Sequence, residues 1–292
     1  MNRYRFYEIL QANKNGEDLS QFVPTNAAEA ELIANLGGGS NGGVSPFRKF
    51  FDGKADGYCS MTFVDYQLED IDGMIQYDDT INVTALDDFF YNSINLKRVT
   101  LFNTENVTSM SGTFQDCSSL EELPNYNMKN VENTWNMCYG CTSLRVIPEY
   151  FDTPKLTKAD TMFGDCSLLT KIKMNTDSVT TMVNIVSGCS SLEIFDITKY
   201  NLTSTNSSSN MLKNCAALKA FVVRNVGSLS ISTSAFAGSG IANGTGYIYV
   251  PRDEVNTVKA ATTWSTYATQ IRPLEDYTVD GTTTGALDES KI

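Results

Sequence analysis

The sequence predicts a mostly β solenoid, α+β in class, with about seven coils and a cap at each end. Three observations predict it. One phrase, aromatic-x-x-Cys-x-x-Leu-x-x-apolar, returns about every 24 residues between Ser93 and Ser239. Apolar residues recur at fixed offsets from the Cys in nearly every copy. Length drifts in one stretch of each copy and not elsewhere. A period of this size marks stacked units. One unit cannot bury its apolar side, so neighbours must cover it.

The elements follow in order along the chain. Residues 1–36 read as a separate segment. Tyr4, Phe6, Tyr7, Ile9 and Leu10 form an aromatic cluster, and residues 26–36 read as a helix with Asn26 as a possible cap. The cluster is too small for a core of its own. It reads as an anchor that docks on a partner, or else as a leader or part of the cap. Residues 37–44 are a glycine-rich hinge. Residues 45–90 should cap the solenoid, with short strands at 58–64 and 74–77.

The repeats then run through Cys117, Cys141, Cys166, Cys189 and Cys215, with Ser93 and Ser239 at the Cys position of the first and last copies. The Leu three residues later is followed by Val99, Leu123, Ile147, Ile172, Phe195 or Phe221. Ten residues before the Cys position stand Val107, Val131, Leu156, Val179 and Leu229, while Thr205 departs from the rule. The drifting stretch should form loops on one edge, where repeat proteins often bind. At the far end, residues 247–277 read as a closing cap. Tyr247 to Val250 is a strand stopped by Pro251, residues 253–268 a helix, and Ile271 to Leu274 a last strand. Residues 278–292 are a polar tail.

Segments such as Asn106-Val-Thr-Ser-Met, followed by Phe114-Gln-Asp-Cys-Ser-Ser-Leu120, resemble the BspA-type leucine-rich repeats of bacterial surface proteins. They are also similar to the related repeats of Mycoplasma lipoproteins. The resemblance spans roughly residues 80–277. It implies a leucine-rich-repeat fold and a role in surface recognition, and it does not imply an enzyme.

Composition bounds the chemistry. The chain of 292 residues has a formal charge of −12, which disfavours binding to a phosphate backbone. It has no histidine, which removes the commonest general base and most transition-metal sites. Asp70-Ile-Asp72-Gly73 lacks the further oxygen ligands of a calcium loop. No stretch is long enough for a membrane span, and the N-terminus does not read as a secretory signal. No catalytic residue, metal site or cofactor is expected. Five of the seven Cys fall at the repeat position and read as a ladder of small buried thiols. Cys138-Tyr-Gly-Cys141 has the spacing of a redox or zinc half-site but lacks a second pair. The Asn-x-Ser/Thr triplets at Asn82, Asn106, Asn201, Asn206 and Asn243 fit chance in so polar a chain.

Phe102, Tyr126 and Tyr150 follow the second apolar position at the same distance and would stack as a row. With Tyr200 in the longest loop, they are the candidate partner-binding residues. The alternative is that they cover the second side of the core. The expected function is a non-enzymatic virion protein of a bacteriophage, a fibre, decoration or tail component. Its first segment would hold other virion proteins, and its solenoid would meet a host-surface glycan or protein. A homo-dimer or homo-trimer is compatible with this, though no heptad repeat supports one. The alternatives are a bacterial cell-surface adhesin and an intracellular peptide-binding scaffold.

Overall fold

The structure, a computed structural model, describes residues 84–99 and 104–276. The anchor cluster of Tyr4, Phe6, Tyr7, Ile9 and Leu10, the hinge, residues 45–83, Phe102 and the tail lie outside them.

Five short strands form one open parallel sheet in sequence order. They are β1 (Lys171–Met174), β2 (Ile194–Ile197), β3 (Ala220–Val223), β4 (Tyr247–Val250) and β5 (Ile271–Pro273). Parallel neighbours need a crossover of a dozen residues or more. The Cys phrase is part of each crossover from β1 to β2 and from β2 to β3. Earlier copies continue the same edge as single bridges, Glu122 to Val146 and Phe151 to Met174. The sequence explains the weakening. Pro124 and Pro148 stand where later repeats have Lys173, Asp196 and Val222, and proline has no N–H for a ladder.

A second run of bridges links Ala85, Ser109, Asn133, Lys158 and Thr181, each one repeat from the next. A third ladder joins the turns before each Cys. Phe90, Phe114, Cys138 and Phe163 donate backbone N–H to the carbonyls of Thr113, Met137, Met162 and Ile185. Two residues in each of these turns have positive φ, five and one before the Cys position. The pairs are Asp88 and Asn92, Gly112 and Asp116, Asn136 and Gly140, Thr161 and Asp165, Asn184 and Gly188, and Asn210 and Asn214. Gly, Asn and Asp enter this region at low cost, and a β-branched residue does not. Thr161 is the exception, at φ 56. Thr161→Asn should therefore stabilise the fold by about 1 kcal/mol. A urea midpoint that rises at unchanged slope would register the gain, and a midpoint that falls would disprove it.

Polar side chains also join the repeats. Each repeat Cys donates its S–H to a buried carbonyl one repeat back. Cys117 reaches Phe90 at 3.0 Å, Cys141 reaches Phe114 at 3.0 Å and Cys166 reaches Cys138 at 3.1 Å. Cys189 reaches Phe163 at 3.0 Å and Cys215 reaches Val186 at 3.1 Å. The next residue does the same with a hydroxyl: Thr142 to Ser118 at 3.3 Å, and Ser167 to Thr142 at 3.4 Å. The Cys position thus needs a small side chain and a donor. The ladder of small buried thiols expected from the sequence is present at these five positions, with the donor bond added.

The core runs the length of the described stack. Phe90 stacks on Phe114 at 5.3 Å, and Phe195 on Phe221 at 5.7 Å. Two expectations fail at the far end. Leu229 is exposed, and Ile231 fills the core slot instead. The predicted helix over 253–268 is also two pieces, α1 (Val255–Ala260) and a 3-10 turn (Trp264–Tyr267). Ala261 is extended and Thr263 has φ 71, which breaks the helical path. The break lets Trp264 turn inward onto Tyr200 and Phe236, where its indole N–H donates to the Leu229 carbonyl at 3.1 Å.

Candidate functional site

Strand alternation decides what the sheet displays. Ile172, Phe195, Phe221, Ile248 and Ile271 share one register row and point into the core. The next row faces the other way and reads Lys173, Asp196, Val222, Tyr249, Arg272. Tyr150 joins it at the start, because Phe151 bridges to Met174 of β1. Beside this row lie Lys171, Ile194, Ala220 and Tyr247. Ala220 and Val222 form a small apolar cluster with Ile194, Tyr249 and Leu274, separate from the main core.

The rings and cations of this face are paired. Lys173 Nζ lies over the Tyr150 ring, 5.8 Å from its centre. The Arg272 guanidinium lies over Tyr247 at 4.8 Å, and its Nη1 donates to the carbonyls of Thr269 and Ile271. Tyr247 and Tyr249 meet edge to face at 6.3 Å. Such contacts hold a flexible cation in place on the surface. The Tyr150 hydroxyl is harder to ionise than usual, first because of partial burial and then because of Asp152, Asp177 and Asp196.

Asp196 is fully buried at the centre of the face. Arg224 grips it with two bonds, Nε to Oδ1 at 3.0 Å and Nη2 to Oδ2 at 3.0 Å. A two-pronged guanidinium pair is the strong form of this contact. Removing the arginine would leave a carboxylate without its neutralising partner in a dry site. Arg224→Met should cost about 3 kcal/mol, the lower end for a broken buried pair because the guanidinium is partly exposed. Asp196→Val with Arg224→Met should recover much of that loss. Denaturant titration of the two variants checks it, and a double variant no better than Arg224→Met would refute it.

The predicted row of rings is not formed as expected. Tyr126 is buried in the core, stacked on Phe114 at 6.2 Å. Tyr200 is fully buried too, with its hydroxyl bonded to the Ser230 carbonyl at 2.7 Å. Neither offers a ring to a partner. Tyr150 is 36% exposed. The difference is local. The repeat of Cys141 supplies Phe151 to the core, so Tyr150 beside it faces out. Sequence reasoning missed Lys173, Asp196, Arg224, Tyr247, Tyr249 and Arg272. The signal was present as alternation, in Lys171-x-Lys173 and Tyr247-x-Tyr249.

The thiols are poor candidates for chemistry. All six described cysteines are buried and unbridged. Burial pushes the thiols of Cys117, Cys138, Cys166 and Cys189 well up, and that of Cys215 to about 12. A reactive thiol needs the opposite shift. Among the described residues no three His, Cys, Asp or Glu are placed to hold a metal. No described helix is long and apolar enough to cross a membrane.

Comparison with known proteins adds the kinship. A family model, described as Mycoplasma protein of unknown function, DUF285, matches residues 59–173 and again 148–243. The chain belongs to this family. The two matches overlap within the repeats, as a family model does when it slides along a periodic sequence. The relation to the Mycoplasma repeats is thereby shown. No curated protein matches the chain.

Proposed function

We propose that the chain is a leucine-rich-repeat solenoid of about seven coils that works by binding, without catalysis, through the outer face of its sheet. Its partner is a glycan or protein on a bacterial surface. The carrier is a bacteriophage particle, on which the chain is a fibre, decoration or tail component. The observation that supports binding most is the face itself. Tyr150, Tyr247 and Tyr249 stand with Lys173 and Arg272 on one side of a rigid sheet, backed by a continuous core. Tyrosine offers contact area at low entropy cost, and sites built on strands hold their geometry. The virion assignment rests on the adhesin-like repeat, the N-terminal sequence and the hinge. Mass spectrometry of purified particles tests it: the chain should co-purify with virions, and its presence in cell envelopes but never in particles would defeat the assignment.

A second reading, a bacterial cell-surface adhesin, is favoured by the Mycoplasma family match. It keeps the same binding face and changes only the carrier. The envelope fraction in the same experiment distinguishes the two.

A further inference from the structure

We infer that the sheet face takes an acidic polysaccharide, a chain of carboxylated sugars laid across the strands. The inference rests on the reading of this face as the binding surface and names its ligand class.

Charge is the first argument. The chain carries a formal −12, yet Lys171, Lys173, Arg224 and Arg272 gather on this face with Asp196 as the one carboxylate in its central row. The carboxylates nearby are partly occupied. Asp196 is neutralised by Arg224, Glu193 pairs with Lys219 at 2.9 Å, and Asp177 accepts a bond from Thr198 at 2.7 Å. A cationic patch on an acidic body orients a polyanionic ligand before contact.

Shape is the second argument. From Tyr150 to Arg272 the row crosses five strand steps, roughly 24 Å at the usual strand spacing. That length suits a linear ligand of several sugar units better than a single small molecule. Tyrosines stand at both ends, and sugar rings present C–H faces that lie on aromatic rings. The ring contacts already position Lys173 and Arg272, so less side-chain order must be gained on binding. A carboxylate every sugar or two can meet these cations towards the two ends of the row, while Ala220 and Val222 between them are buried under their neighbours.

The test uses the full chain with four probes: polygalacturonate, polysialic acid, fully methyl-esterified polygalacturonate and poly-glutamate. The ester keeps the sugar backbone and removes the charge, and poly-glutamate keeps the charge on a peptide. At least one acidic polysaccharide should bind, with tenfold or greater loss on esterification. Lys173→Glu with Arg272→Glu should weaken that binding at least tenfold while leaving the circular dichroism spectrum and melting temperature near those of the parent. Raising the salt should weaken it as well. Binding to neither acidic polysaccharide, equal binding of the ester, poly-glutamate bound as tightly, or an unaffected double variant would each overturn the inference. If the chain still binds bacterial cells through this face in those cases, the ligand class falls and the binding reading stands.

Discussion

Replacing Trp264 with alanine should cost about 4 kcal/mol, in the range for removing a buried aromatic ring. Trp264 is 1% exposed and closes the C-terminal end of the core. It meets Tyr200 edge to face at 5.5 Å and Phe236 at 6.0 Å. Its loss opens a cavity among Tyr200, Phe236 and the last described strands. The Leu229 carbonyl also loses its donor. In a stack, each unit is held by its neighbours, so a weakened end unit should fray first. Urea denaturation of Trp264→Ala should show a lower midpoint. Amide exchange should speed up over β4, β5 and α1 before it does so around Cys141. A loss under 1 kcal/mol would mean that the tryptophan does not close the core.

Mild alkali should unfold the protein. The five thiols of Cys117, Cys138, Cys166, Cys189 and Cys215 are held above their ordinary range, in each case chiefly by burial. The sign follows from which state releases protons first. Below the ordinary thiol value of about 8.5 neither state ionises, and stability is complete. Above it, unfolded thiols lose protons while folded ones keep them. Stability then falls with rising pH, by up to about 1.4 kcal/mol per pH unit for each thiol, until the folded groups ionise. Several thiols acting together exceed the stability of an ordinary domain within one or two pH units. Buried Tyr126 and Tyr200, whose hydroxyls are likewise pushed up by burial, add to the effect at higher pH. Melting curves from pH 7 to 10.5 should show a steep drop beginning near pH 8.5. Serine at Cys117, Cys166, Cys189 and Cys215 keeps the donor to the carbonyl one repeat back and should flatten most of the drop. A parent profile level to pH 10 would contradict the burial of these thiols.

The recurring core positions were legible in the sequence because their causes are local. Leu96, Leu120, Leu144, Leu169, Leu192 and Leu218 hold one angular position, and all six are buried. The Cys was legible as a buried small residue, but its bond to a carbonyl one repeat back was not, since that acceptor has no sequence signature. The paired left-handed turn positions were visible as recurring Asn, Asp and Gly, and only the φ values give them meaning. The face was harder to read. A fixed offset from Leu placed Tyr126 and Tyr150 in one row, whereas Phe151 takes the core slot in one repeat and turns its neighbour outward. Which side a residue faces in so short a strand depends on a shift of one residue. The Asp196–Arg224 pair joins residues 28 apart in sequence and could not be read from either repeat alone.

The central claim is that the outer sheet face, and not the turns before each Cys, carries recognition. Binding of the purified chain to bacterial cells should be compared for two surface variants. One changes Tyr150 to Ser, Lys173 to Ala and Arg272 to Ala. The other changes Trp135, which is 54% exposed in the turn before Cys141, to Ser. Both should fold like the parent. The account predicts that the first loses most of its binding and the second keeps it. Full binding by the first with loss in the second would place recognition on the turns and contradict the account.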